Sequence, residues 1–273
     1  MKTKFFNELY MHETRRAYIK VESRQLTATG VSDIGLLRNE NQDSIYLDEN
    51  GHFVLLADGM GGHERGAEAS QTIITILQEY FQPDRIERES TDITAIEGIP
   101  TEVTSLLSLI DKGIRKSNKV VYKKNRAEKV GKHMGSTLVG VVFTNDLFVT
   151  WFHVGDSRLY RWRDETLVQL TEDHSAYTAW VNEGCAGEEP GRNLVTRSIG
   201  PREYVIPEIN WGKGREGDIY ILCSDGLNDM IGNNEISQIL EKSDSVNNMT
   251  VNLLNAALEA GGNDNISIIA CKL

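Results

Sequence analysis

Three pairs of strand-like segments, each joined by a short polar turn, constrain the fold of this 273-residue chain more than any other feature. "DSIYLDENGHFVLLAD" reads as two strands around Asp48-Glu49-Asn50-Gly51, and "STLVGVVFTNDLFVTWFHVG" as two more around Thr144-Asn145-Asp146. "SRLYRWRDETLVQL" is a third pair, turning at Asp164-Glu165. Hairpins of this kind carry antiparallel sheets. Amphipathic patterns lie between them. One covers 66–81 (Ile73, Ile74, Leu77, Tyr80, Phe81), and a second covers roughly 101–125 (Val103, Leu106, Leu107, Ile110, Ile114, Val121). A third, near 246–260 (Val251, Leu254, Leu258), stops at Gly261-Gly262. The stretch 82–100 is polar, lacks periodicity and has proline at both ends, which predicts a long loop. Hairpins with segregated helices predict an α+β fold, helices packed outside sheets.

No repeat and no Pro/Ser-rich linker divides the chain, so one domain is expected. A net charge of −11 argues against nucleic acid as a partner, since that affinity comes mostly from Lys and Arg. Three cysteines without tight spacing suggest neither a disulfide framework nor a zinc ribbon, and fit a reducing cytoplasm. The first 20 residues lack the apolar core of a signal peptide, and no run approaches the ~18 apolar residues of a membrane span. A soluble, cytoplasmic protein without a membrane partner is expected.

The stretch "LLADGMGG" (55–62) poses the first chemical question: a turn that cradles phosphate, or one that positions Asp58. As a dinucleotide motif it fails. The last glycine of G-x-G-x-x-G is missing, and no second strand ends in an acid about 20 residues further on. Asp58 instead ends an apolar strand, where a carboxylate needs a partner or a metal, or caps the next helix. Three other segments share the design. "FHVGDSRLY" delivers Asp156, "IYILCSDGLND" delivers Asp225, and "GGNDNISIIACK" places Asp264 before a strand. If these strands are neighbours, the carboxylates can converge. Oxygen-only ligands without His or Cys spacing favour magnesium or manganese over zinc or copper.

"SDIGLLRNENQDS", "ADGMGGHERG", "MGSTLVG", "HVGDSRLYRW", "LTEDHS", "NLVTRSIG", "LCSDGLND" and "NDNISIIA" occur in the order found in bacterial metal-dependent protein phosphatases of the type 2C (PPM) family. The chain resembles that family over about 27–273, which would be the catalytic domain, with 1–26 an N-terminal extension of unassigned order. The resemblance implies a four-layer α-β-β-α sandwich with two central antiparallel sheets. It also implies a Ser/Thr protein phosphatase in which metal-activated water attacks phosphorus directly, without a phosphoenzyme.

Carried over by motif, Asp58, Asp225 and Asp264 would bind two Mn2+ or Mg2+ ions, with the Gly59 carbonyl beside them. Asp43 would hold metal-bound waters and Arg38 the phosphate, its alternative reading being a surface ion pair. Asp156, with Asp225, would bind a third, weaker metal, or else serve only its turn. The partners implied are phosphoserine and phosphothreonine proteins and a cognate Ser/Thr kinase, and the chain is expected to be a monomer.

Two positions depart from the pattern. Met60 stands where animal members carry a histidine thought to protonate the leaving alcohol, which leaves the general acid unassigned; His63 lies near in sequence. Gln42 stands where some relatives have glutamate. The segment between "EDHS" and "NLVTRS" corresponds to the family's flap and looks several residues shorter than in many bacterial relatives. Cys185 within it does not make a tyrosine-phosphatase loop, because Arg192 is one position too far for C-x5-R and the surroundings are acidic. Lys112, Arg115, Lys116, Lys119, Lys123, Lys124 and Arg126 crowd one helix, either as a solvated face or as a dock for an acidic phosphoprotein. Rival readings are a catalytically silent phosphoprotein-binding scaffold of the same fold and a two-metal nuclease.

Overall fold

Residues 53–57, Phe-Val-Leu-Leu-Ala, are apolar at every position because both faces of their strand are covered. Phe53, Leu55 and Ala57 pack against helices, while Val54 and Leu56 pack against a second sheet. The computed structural model describes residues 16–23, 26–61, 65–92, 96–128 and 133–273. Its strands are β1 (Arg16–Glu22), β2 (Thr27–Asp33), β3 (Asp43–Leu47), β4 (Phe53–Met60), β5 (Gly135–Ser136), β6 (Leu138–Phe143), β7 (Phe148–Val154), β8 (Arg158–Arg163), β9 (Thr166–Gln169), β10 (Glu208–Lys213), β11 (Ile219–Cys223) and β12 (Ile266–Lys272). Its helices are α1 (Arg65–Tyr80), α2 (Pro83–Asp92), α3 (Thr101–Glu128), α4 (Ala176–Asn182), α5 (Asp225–Asn228), α6 (Asn233–Lys242) and α7 (Val246–Glu259).

The first sheet runs β1-β2-β12-β11-β8-β9; the second runs β10-β7-β6-β4-β3, with β5 paired to β4. The pairings are antiparallel, as the hairpins predict. At the β8–β9 turn Asp164 and Glu165 both have left-handed φ, 49° and 58°, the two-residue geometry whose twist matches the flanking strands.

Three apolar clusters make four layers. Ile73, Leu77, Ile110 and Ile114 of α1 and α3 cover the outer face of the second sheet. Leu222, Ile269 and Cys271 meet Val54, Val139 and Val141 between the sheets. Ile236, Leu240, Leu253 and Leu254 of α6 and α7 cover the first sheet's outer face. Each large side chain buried in these layers stabilises the fold by about 2 kcal/mol. This is the predicted α-β-β-α sandwich, and the three predicted helices appear as α1, α3 and α7. Among the described residues no helix is long and apolar enough to cross a membrane.

One expectation is corrected. Within the predicted loop 82–100 lies a helix, α2, which starts on Pro83, where a fixed φ and a missing N–H suit the first helical position. Ile86 packs on the core, and Glu89 accepts hydrogen bonds from Ser108 and Lys112 of α3. Tertiary contacts thus hold a segment whose own apolar pattern is too thin to predict it. Residues 16–22, inside the proposed extension, form an edge strand: Arg16 lies opposite Asp33, which accepts its guanidinium hydrogen bond at 2.6 Å.

Candidate active site

The register of β3 and β4 sets Asp43 directly opposite Asp58. Asp156 follows β7, Asp225 follows β11 by two residues, and Asp264 precedes β12. Antiparallel pairing turns these points to the same end of the two stacked sheets. There a cleft of about 780 Å³ is lined by Arg38, Asp58, Gly59, Met60, Asp156, Asp225 and Asp264. The residues that the motifs single out therefore come together, with Asp43 on the neighbouring strand beneath.

Asp58 donates its N–H to Thr137 Oγ1 (3.1 Å), and the Thr137 N–H returns a bond to the Asp58 carbonyl (2.8 Å). Thr137 shares a further bond with Ser157 (2.7 Å). Asp43 accepts from Ser224 Oγ at 2.9 Å. Asp264 accepts from the Asn265 N–H (2.8 Å) and from Arg38 Nη2 (2.6 Å). Arg38 does form an ion pair, and its partner is another residue of the cleft.

The glycines permit close approach rather than cradling an anion. A Cβ on Gly59 would stand 2.1 Å from the Gly66 carbonyl and 2.5 Å from that of Gln42, so strand, helix start and Gln42 touch backbone to backbone. Met60 lines the cleft and brings no proton donor. His63 lies outside the described residues.

Burial pushes Asp43 and Asp156 up to about 6. Asp58 and Asp225 are held well above the usual carboxylate range, first by burial; repulsion from Asp43, Asp225, Asp156 and Asp264 adds to it for Asp58, and repulsion from Asp156, Asp264, Asp229 and Asp43 for Asp225. Asp43 Oδ1 and Asp225 Oδ1 are buried without a hydrogen-bond partner. Charge this concentrated, with acceptor oxygens left unmatched, is what a site for divalent cations requires.

Several supporting residues escaped the sequence reading. Asn265 donates through Nδ2 to the carbonyls of Ile34 (3.0 Å) and Glu40 (2.9 Å) and accepts the Gln42 N–H (2.8 Å). It fixes the loop that carries Arg38. Asn41 bridges Ser32 (2.8 Å) and the Asp43 N–H (3.1 Å). Asp229, raised by burial and by Asp264 and Asp173, adds another carboxylate behind Asp225. Asn41, Asp229 and Asn265 all lie inside the quoted motifs, but their roles depend on partners that no local pattern reveals.

His153, His174 and Glu208 place donor atoms within 4.8 Å of one another. His174 Nδ1 accepts the Gly155 N–H (3.0 Å), and its Nε2 lies 2.9 Å from both Glu208 Oε1 and Arg197 Nη1, which itself stands 3.6 Å from Glu208. Burial holds this imidazole down to about 4, in keeping with a neutral ring. The trio is thus a hydrogen-bonded brace that grips the residue before Asp156. The segment between "EDHS" and "NLVTRS" starts at α4, capped by Ser175, and closes where Ser175 bridges Val195. Arg192 lies 4.4 Å over the Tyr177 ring, and Cys185 is exposed on a left-handed turn.

Two stacked antiparallel sheets between helical layers, opening at one end into a carboxylate-lined cleft, define the class structurally. The chain belongs to the protein phosphatase 2C family, whose model matches residues 38–264. It is 32% identical to the serine/threonine protein phosphatase PstP of Mycobacterium tuberculosis over 89% of its own length, and spans 44% of that longer protein. It is 30% identical to the serine/threonine phosphatase stp of Listeria welshimeri, covering 87% of this chain and 92% of that protein. The solved M. tuberculosis PstP/Ppp structure matches with a TM-score of 0.76 at 32% identity, over 91% of this chain and 98% of that one. The catalytic domain of PstP in complex with two manganese ions matches with 0.75 at 32% identity, over 90% and 97%.

Proposed function

We propose that this chain is a manganese- or magnesium-dependent phosphatase that hydrolyses phosphoserine and phosphothreonine in proteins without a phosphoenzyme. The observation that carries the reading is the convergence of Asp58, Asp156, Asp225 and Asp264 on one cleft, with Asp43 directly opposite Asp58 beneath it and one oxygen each of Asp43 and Asp225 unmatched. Family membership and a relative solved with two manganese ions support it.

Asp58, Asp225, Asp264 and the Gly59 carbonyl would hold two cations, with Asp156 and Asp225 available to a third. Such a pair, when bound, acidifies water and neutralises charge developing on phosphoryl oxygens. Asp43, fixed by Ser224, would orient water by accepting hydrogen bonds. Arg38, more than half exposed beside Asp264, would swing its planar fork onto two phosphate oxygens. The cleft hydroxyl of Thr137 is committed to Asp58 and Ser157, which leaves it in a positioning role rather than a nucleophilic one. Leaving-group protonation would fall to solvent, given Met60.

An aryl phosphate should be hydrolysed with manganese, and the activity should vanish with EDTA and in Asp225→Ala. Full activity in EDTA overturns the reading.

A further inference from the structure

Between Lys112 and Ala127 the chain carries seven cations and no acid, in a protein whose net charge is −11. Three of the seven are paired: Lys112 with Glu89, Arg115 with Asp111, and Lys124 with Glu68. The other four, Lys116, Lys119, Lys123 and Arg126, are exposed and have no ion-pair partner among the described residues. Their spacings of three, four and three put them in one stripe roughly 15 Å long on α3. The opposite face is anchored by buried Ile114, Asn118, Val121 and Asn125. Like charges at these spacings repel, so an anionic partner would relieve the stripe.

The stripe is rigidly tied to the cleft. Asn125 holds the Met134 N–H and carbonyl and the Gly200 carbonyl, and it accepts from Arg65 just past the glycine turn. Met134 leads into β5, which pairs Gly135 with Met60 and Ser136 with Gly59. The end of α3 that carries Arg126 therefore abuts the lip of the site. Arg38, assigned above to the phosphate, is the one Lys or Arg among the described residues lining the cleft, which leaves no side-chain cation there for acids flanking a phosphorylated residue. A basic stripe one step away is where those residues can be accommodated.

We infer that Lys116, Lys119, Lys123 and Arg126 form a docking surface for an acidic segment flanking the phosphorylated residue of the substrate protein. The inference rests on the phosphatase reading above. A stripe this short, on a chain this acidic, suits a few carboxylates or phosphates rather than a long polyanion.

The test compares kcat/KM of the manganese-loaded full chain on two phosphothreonine peptides, one flanked by aspartates and one by Gly and Ser, with an aryl phosphate as control. Four exposed pairs of ordinary strength predict an advantage of about tenfold for the acidic peptide at low salt, fading as salt is raised. The charge reversal K116E/K119E/K123E/R126E should abolish that advantage and leave aryl phosphate turnover unchanged. A neutral Lys→Gln and Arg→Gln version, with melting temperature followed in parallel, separates charge from folding. No peptide preference, or one that survives both variants, overturns the inference. So does stripe-dependent binding of single-stranded RNA or phosphatidylserine vesicles without any peptide effect. Absence of aryl phosphate hydrolysis in the unmutated chain would instead strike the phosphatase reading.

Discussion

Within eight residues β4 holds two opposed designs. From Phe53 to Ala57 it is apolar, covered on both faces and fully buried. From Asp58 to Met60 it presents a carboxylate among other carboxylates, a glycine with no room for a side chain, and a methionine facing the cleft. The first half stabilises the fold through packing. The second gives up stability, because concentrated negative charge raises the free energy of the folded chain, and in exchange creates a place for cations.

Substitutions in the two halves should therefore separate. On the proposed function, Asp58→Ala lowers manganese-dependent turnover by about a thousandfold or more, the scale of losing a principal electrostatic contributor, with no fall in melting temperature. Leu55→Ala does the reverse. Urea unfolding should show a loss of about 3 kcal/mol, while turnover per folded molecule is retained. Asp58→Asn sharpens the contrast. In the metal-free protein it should raise stability by about 1.5 kcal/mol, since it removes a charge repelled by Asp43, Asp225 and Asp156.

The smallest effect is in pH. Asp43 keeps its proton up to about 6 when folded, whereas an unfolded aspartate releases it near 4. Between those values the folded state binds more protons, so this group's contribution to stability falls as pH rises. The stability gained by Asp43→Asn in the metal-free protein should grow from pH 4 to pH 6 by up to about 1 kcal/mol, partial exposure limiting it. His174 titrates in the same window with the opposite sign, being held down to about 4, and cancels from the difference between the two proteins. A flat difference would show that Asp43 is not held protonated.

The same contrast explains what the sequence disclosed. An apolar run that breaks at a single aspartate is visible in one dimension, so Asp58, Asp156, Asp225 and Asp264 could be picked out before their strands were placed. The layers followed because covered strands are continuously apolar and covered helices are amphipathic. What was hidden depends on partners distant in sequence. Asn265 matters through Ile34, Glu40 and Gln42, and His174 through Glu208 and Gly155; neither has a local pattern. α2 was missed because its polar surface outweighs its contact with the core. β1 is an edge strand of alternating character that acquires a partner only when β2 is beside it.

One consequence lies in the order of the first sheet. β2, near the start of the chain, is hydrogen-bonded to β12, near its finish, and the Arg38–Asp264 contact spans 226 residues. Contacts at that separation form late, after the intervening loops have closed. A growing polypeptide can build the β3–β4 hairpin and set Asp43 against Asp58, but the cleft lacks a wall until residue 264 has emerged and turned back. Incomplete translation products of this gene would then be inert by construction, and no separate safeguard would be needed to silence them.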